Sequence, residues 1–145
     1  GWEVDPDWVT TTHGLVNGVG LAVDAWTAPG DAVVLLTPVY HAFARVIRAA
    51  GRQVTELPLA LEGGRHVMDW DAWGARLTGR ERMAILCSPH NPGGRVWTRA
   101  ELERVADFAR AQDLILVSDE IHHDLVMPGQ RHVPMALIPG IADRL

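Results

Sequence analysis

Short unbroken apolar runs alternate along this chain with apolar stripes at helical spacing, and that alternation leaves few folds open. Ala32 to Leu36, Met83 to Cys87 and Leu114 to Val117 are continuous runs, the pattern of strands covered on both faces. Gln53 to Leu57 alternates more weakly and also reads as a strand. Between these lie helical faces. Leu15, Val19, Ala22, Val23 and Trp26 form one, and Phe43, Val46, Ile47 and Ala50 another. Asp69 can cap a short helix bearing Trp70, Trp73 and Leu77. Thr98 and Glu101 have the spacing of a capping box, and Leu102, Val105, Ala106 and Ala109 follow as a helical stripe. Pro29-Gly30-Asp31, Gly51 and Glu62-Gly63-Gly64 mark turns and loops, and beyond Met127-Pro128-Gly129 the chain reads as irregular.

Strand–helix alternation implies an α/β fold, a mainly parallel sheet with helices on both faces and right-handed crossovers. Such sheets bind ligands beyond the carboxyl ends of their strands. Two polar stretches stand at those places. Ser88-Pro89-His90-Asn91-Pro92-Gly93-Gly94-Arg95-Val96-Trp97 follows the run ending at Cys87, and Ser118-Asp119-Glu120-Ile121-His122-His123-Asp124 follows the run ending near Val117. Two polar clusters at one sheet edge can meet around one ligand.

Composition narrows the choice further. The 145 residues are 48% hydrophobic and 21% charged, as in globular proteins rather than disordered tails. A net charge of −5 with scattered arginines gives no stripe for nucleic acid. No apolar stretch approaches a membrane span of ~18 residues. The single Cys87 has no internal disulfide partner, which points to a reducing, cytoplasmic setting. All 13 basic Lys/Arg residues are arginine, and the first residue is Gly1 rather than Met. The chain is therefore expected to be incomplete at both ends.

With Thr37-Pro38-Val39-Tyr40 upstream, the two stretches resemble fold-type I pyridoxal-phosphate enzymes of the class I/II aminotransferase superfamily. Their wording looks most like the cystathionine β-lyase branch of the MalY/PatB type. The resemblance covers essentially all of residues 1–145 and implies the central part of the family's large, cofactor-binding domain. It implies pyridoxal 5′-phosphate as cofactor, a small amino-acid substrate and a homodimer. Asp119 would face the pyridine nitrogen, and Asn91 would donate its amide to the cofactor's phenolic oxygen. Tyr40 would stack on the ring, and His122 would stand where many aminotransferases place a tyrosine. The helix start at Gly14 and Leu15 would take the phosphate. No catalytic residue is assigned within the chain, because the family's cofactor-holding lysine is expected after Leu145. The activity implied is elimination of a thiol from cystathionine or a similar cysteine conjugate.

Each residue also has a plainer reading. Asp119-Glu120 can be a strand end feeding a loop, and Asn91-Pro92 with Gly93-Gly94 is an ordinary turn sequence. Tyr40 can pack under a helix, and Thr12 can be a simple helix cap. Other classes compete as well. Leu114 to Glu120 resembles the Walker B strand of nucleotide hydrolases, but a chain without lysine supplies no phosphate-binding loop. His90, His122, His123 and Asp124 lack any established metal-ligand spacing. An aminotransferase of the same fold and a non-catalytic binding domain stay open as alternatives.

Overall fold

Strand β1 (Ala32–Thr37) is buried along its first five residues, and it sits at the centre of the sheet. The computed structural model describes residues 2–145. Its other strands are β2 (Gln53–Glu62), β3 (Arg65–Met68), β4 (Glu81–Cys87) and β5 (Ile115–Asp119). They lie in the order β3-β2-β1-β4-β5. β1 pairs in parallel with both β2 and β4, and β4 with β5, while β2 and β3 form an antiparallel hairpin. The sheet is thus mainly parallel, as the alternation implied. From β1 the chain steps to β2 on one side and returns to place β4 on the other. That reversal opens a crevice between the carboxyl ends of β1 and β4, where open α/β sheets hold ligands.

Both faces of the sheet are covered. Val33, Leu35, Met83 and Ile85 point to one side, against Val19 and Val23 of α1 (Leu15–Trp26) and Phe43 and Ile47 of α2 (His41–Ala49). Val34, Leu36, Ala84, Leu86 and Leu116 point to the other, against Leu102, Val105, Ala106 and Ala109 of α4 (Arg99–Ala111). Period-two strands and period-3.6 helices meet there as two separate cores. All four predicted α4 positions are buried.

α4 begins with the full capping box. Thr98 Oγ1 accepts from Glu101 N–H at 3.2 Å, and the Glu101 carboxylate accepts from Thr98 N–H at 2.7 Å. Burial would raise the Glu101 carboxyl, but the bonds from Thr98 and Arg95 hold it below the ordinary glutamate value.

Several details differ from the sequence expectation. Gly63-Gly64 is not an open loop but the turn of the β2–β3 hairpin, whose register pairs Glu62 with Arg65. β5 runs on through Ser118 to Asp119, because both pair with β4. The helix after Asp69 is a single turn, α3 (Trp70–Trp73), continued by a short 3₁₀ turn at Gly74–Arg76. On α1, Val19 and Val23 are buried, but Leu15 and Trp26 at the two ends are exposed. The stripe overshoots its contact because the helix meets the sheet only through its middle. Among the described residues, no helix is long and apolar enough to cross a membrane.

Candidate cofactor site

Three of the predicted site residues follow carboxyl ends of parallel strands. Tyr40 lies just past β1 and caps α2, Asn91 lies just past β4, and Asp119 closes β5. The register Cys87↔Asp119 sets the last two elements side by side, and Ser88 N–H donates to the Asp119 carbonyl at 2.9 Å. Asn91, a few residues beyond, is pulled back by its own N–H, which donates to Cys87 Sγ at 3.3 Å.

The result is a recess of about 340 Å³ at the carboxyl edge of the sheet. Tyr40, Asn91, Asp119 and His122 line it with Leu15, and Val16, Cys87 and Ile121 complete the wall. Gly14 stands one residue outside. Its role is conformational: with φ of 79° it turns the chain into α1 through the left-handed region, which costs glycine little. Thr12 is not the cap, because its hydroxyl donates to the Gly14 carbonyl. Gly14 has no side chain to cap the helix, so the first-turn N–H groups of α1 are left without a side-chain acceptor.

Two polar groups of the recess are likewise uncommitted. Asp119 Oδ1 accepts from Ile121 N–H at 3.1 Å. Among the described residues, Asp119 Oδ2 and the Asn91 side-chain amide have no hydrogen-bond partner. The Tyr40 ring packs edge-on against Phe43 at 5.7 Å between centroids, so the tyrosine both braces α2 and borders the recess. Cys87 is different. Burial, and then the charge of Asp119, push its thiol up to about 11, against the bond from Asn91 N–H. It is a neutral thiol at physiological pH, donating to the Pro89 carbonyl at 3.3 Å.

Glu120, next in sequence to Asp119, does structural work. It accepts from Ser118 Oγ, Met135 N–H and His132 Nε2, each at 2.8 Å, and so ties the following irregular segment to the sheet. The histidines raised as possible metal ligands are dispersed. His90 is buried under its turn, His122 lines the recess, and His123 Nδ1 meets the Glu120 carbonyl. Among the described residues, no group of three or more His, Cys, Asp or Glu could hold a metal ion.

Sequence reasoning did not single out Val16, Cys87 or Ile121. The signal for Cys87 was its place opposite Asp119, which emerges only once the strands are in register.

The arrangement therefore offers an anion site at a helix start, a carboxylate oxygen, an amide and an aromatic wall around one cavity. Known proteins share this frame. The model of the family "Aminotransferase class I and II" matches residues 1–145. Cystathionine beta-lyase PatB of Bacillus subtilis is 37% identical over 137 residues, covering 94% of the chain and 35% of PatB. A probable N-succinyldiaminopimelate aminotransferase, DapC, of Mycobacterium tuberculosis is 35% identical over 145 residues, covering 99% of the chain and 36% of DapC. The crystal structure of cystalysin from Treponema denticola, which contains a pyridoxal 5′-phosphate cofactor, superposes with a TM-score of 0.93. It is 37% identical and covers 99% of the chain and 37% of cystalysin. The chain thus spans about a third of the length of the curated relatives it matches.

Proposed function

Because the chain belongs to the class I and II aminotransferase family, we propose that the whole protein is a pyridoxal-5′-phosphate-dependent carbon–sulfur β-lyase. Its reaction takes a cysteine thioether such as cystathionine, plus water, to a thiol, pyruvate and ammonium. These 145 residues are proposed as the central part of its cofactor-binding domain. One observation carries the reading: Leu15, Tyr40, Asn91, Asp119 and His122 all border one recess at the carboxyl edge of the sheet.

The recess suits the cofactor by its donors. Uncapped N–H groups at the start of α1 favour a phosphate dianion. The free Asp119 oxygen suits a protonated pyridine nitrogen, since each charge favours the ionised form of the other. The Asn91 amide is available to donate to the phenolic oxygen, with His122 as a second neighbour on the same wall. The Tyr40 ring supplies a flat surface for stacking. Bound there, pyridoxal phosphate supplies an electron sink for the pair left on the substrate α-carbon when its proton departs.

The chain's own residues hold and tune that sink. Asp119 keeps a proton on the ring nitrogen, and Asn91 and Tyr40 fix the ring's orientation. Cys87, as a neutral thiol, does not compete for the cofactor's aldehyde. The 145 residues contain no lysine, so the amine that anchors the cofactor and moves the α-proton is assigned to another part of the whole protein. A homodimer is proposed too, supported by exposed apolar side chains at Trp8, Val9, Leu21 and Trp26. A cytoplasmic location is proposed on the single cysteine of these residues, the buried and free Cys87.

A second reading, an aminotransferase, is favoured by the likeness to DapC. The same recess would serve it, so the assay must separate the products. The whole protein with pyridoxal phosphate should release pyruvate and a free thiol from cystathionine. That rate should exceed the rate at which any amino acid yields its keto acid with a keto-acid acceptor. Faster transamination would reject the lyase and leave the aminotransferase.

A further inference from the structure

The turn that carries Asn91 closes on itself through His90. The His90 N–H donates to the Arg95 carbonyl at 2.7 Å, and the His90 carbonyl accepts from Gly94 N–H at 2.8 Å. His90 is 3% exposed, and among the described residues neither ring nitrogen has a hydrogen-bond partner. It is confined on several sides. Trp97 lies 5.5 Å away between ring centroids, and His66 of β3 lies 5.9 Å away. The carbonyls of Leu36 and Pro38, at the carboxyl end of β1, are near enough to favour its protonated form without meeting hydrogen-bond geometry. Burial, then His66 and Arg95, push the ring down to about 4 against those carbonyls, so it is neutral at physiological pH.

Gly93 completes the enclosure. A Cβ on Gly93 would stand 2.5 Å from His90 Nδ1 and 2.7 Å from His66 Nδ1, closer than real Cβ atoms come. Gly93 is not in the left-handed region, so the demand for glycine here is one of space. His66 is only half-buried and can yield. His90 cannot, because Trp97 behind it is itself fixed. The Trp97 indole N–H donates to the Cys87 carbonyl at 2.9 Å, and the Arg95 guanidinium lies 4.6 Å over the ring. Arg95 in turn donates to the His66 carbonyl and to Glu101, both at 2.5 Å. Any push on His90 is therefore transmitted toward Leu36 and toward Pro38, which is two residues short of Tyr40.

We propose that His90 is a positioning residue, a spacer whose ring sets the separation between the Tyr40-bearing segment after β1 and the Asn91-bearing turn after β4. The coupling stands on these contacts alone, while its consequence for cofactor binding rests on the proposed reading of the recess. The test uses the whole protein carrying Gly93→Ala, alone and with His66→Ala, and follows hydrogen exchange and the affinity for pyridoxal 5′-phosphate. Gly93→Ala should speed exchange by ~10-fold both in residues 88–97 and in residues 37–41. Affinity should fall by ~10-fold, as expected when binding groups shift by a fraction of an ångström. His66→Ala should restore part of both, since it gives the displaced His90 ring somewhere to go. Should Gly93→Ala not fold, His90→Ala should loosen the same two segments together. Faster exchange confined to residues 88–97, with 37–41 at the wild-type rate, would overturn the proposal. A wild-type protein that binds no pyridoxal phosphate would instead refute the cofactor reading, and the exchange result would still decide the coupling.

Discussion

Glu81 and Asp119 are carboxylates at opposite ends of neighbouring strands, and their surroundings separate their roles. Glu81, at the amino end of β4, is 5% exposed and fully engaged. It accepts from the Thr55 hydroxyl at 2.6 Å, from the Thr78 hydroxyl at 2.9 Å and from Gly79 N–H at 3.0 Å. Burial would raise its pKa, but the bonds from Thr55 and Thr78, with the Glu81 backbone, outweigh burial and hold it below the ordinary value of 4.5. A carboxyl depressed by folding contributes stability that is complete above its unfolded value and lost as pH falls through the native one. The protein should therefore lose stability progressively below pH 4.5 through this group. Glu81→Gln should flatten that part of the stability–pH curve and cost about 1–3 kcal/mol at neutral pH, since one acceptor oxygen becomes an NH₂ facing N–H or O–H donors. Urea unfolding at several pH values measures both effects, and an unchanged acid limb would deny Glu81 the role. Asp119, by contrast, spends one oxygen on the backbone, and the residue borders the recess.

Among the elements, α4 matters to both fold and site. Its capping-box residue Glu101 also binds Arg95, which holds the Asn91 turn against β3. Thr98→Ala should lower stability by about 1 kcal/mol, read as a lower urea midpoint with an unchanged slope. A midpoint equal to wild type would mean that packing alone sets the helix start. This helix was legible in the sequence because a capping box and its stripe are both local signals. β1 and β4 were legible for a related reason, since strands buried on both faces are written as unbroken apolar runs. The β3 strand was not. Arg65 to Met68 is short and half-buried, and its pairing with β2 is visible only across the Gly63-Gly64 turn. Asn91 and Asp119 could be found because their stretches follow apolar runs and resemble the family's cofactor-binding motifs. Cys87 as part of the wall, and His66 against His90, depend on register and on contacts between distant segments, which no local pattern encodes.

For the molecule as a whole, the reversal of strand order at β1 explains why residues so far apart in sequence meet at one edge. β5 forms one edge of the sheet described, and a largely apolar recess of about 490 Å³ lies beside it, bordered by Trp2, Val19, Val117 and Pro134 together with Asp119 and Glu120. Exposed apolar surface along a strand edge invites cover, which supports reading the chain as a part of the larger domain proposed above. The cofactor assignment itself turns on Asp119, the carboxylate of the recess proposed to face the ring nitrogen. Its direct test is the rate of product formation by the whole protein with saturating pyridoxal 5′-phosphate, compared between wild type and Asp119→Ala. Removing the counter-charge of the ring nitrogen should slow turnover by ~10²-fold or more, the scale of a single electrostatic contact in a water-excluded site. An Asp119→Ala protein turning over at close to the wild-type rate would contradict the pyridoxal-phosphate account.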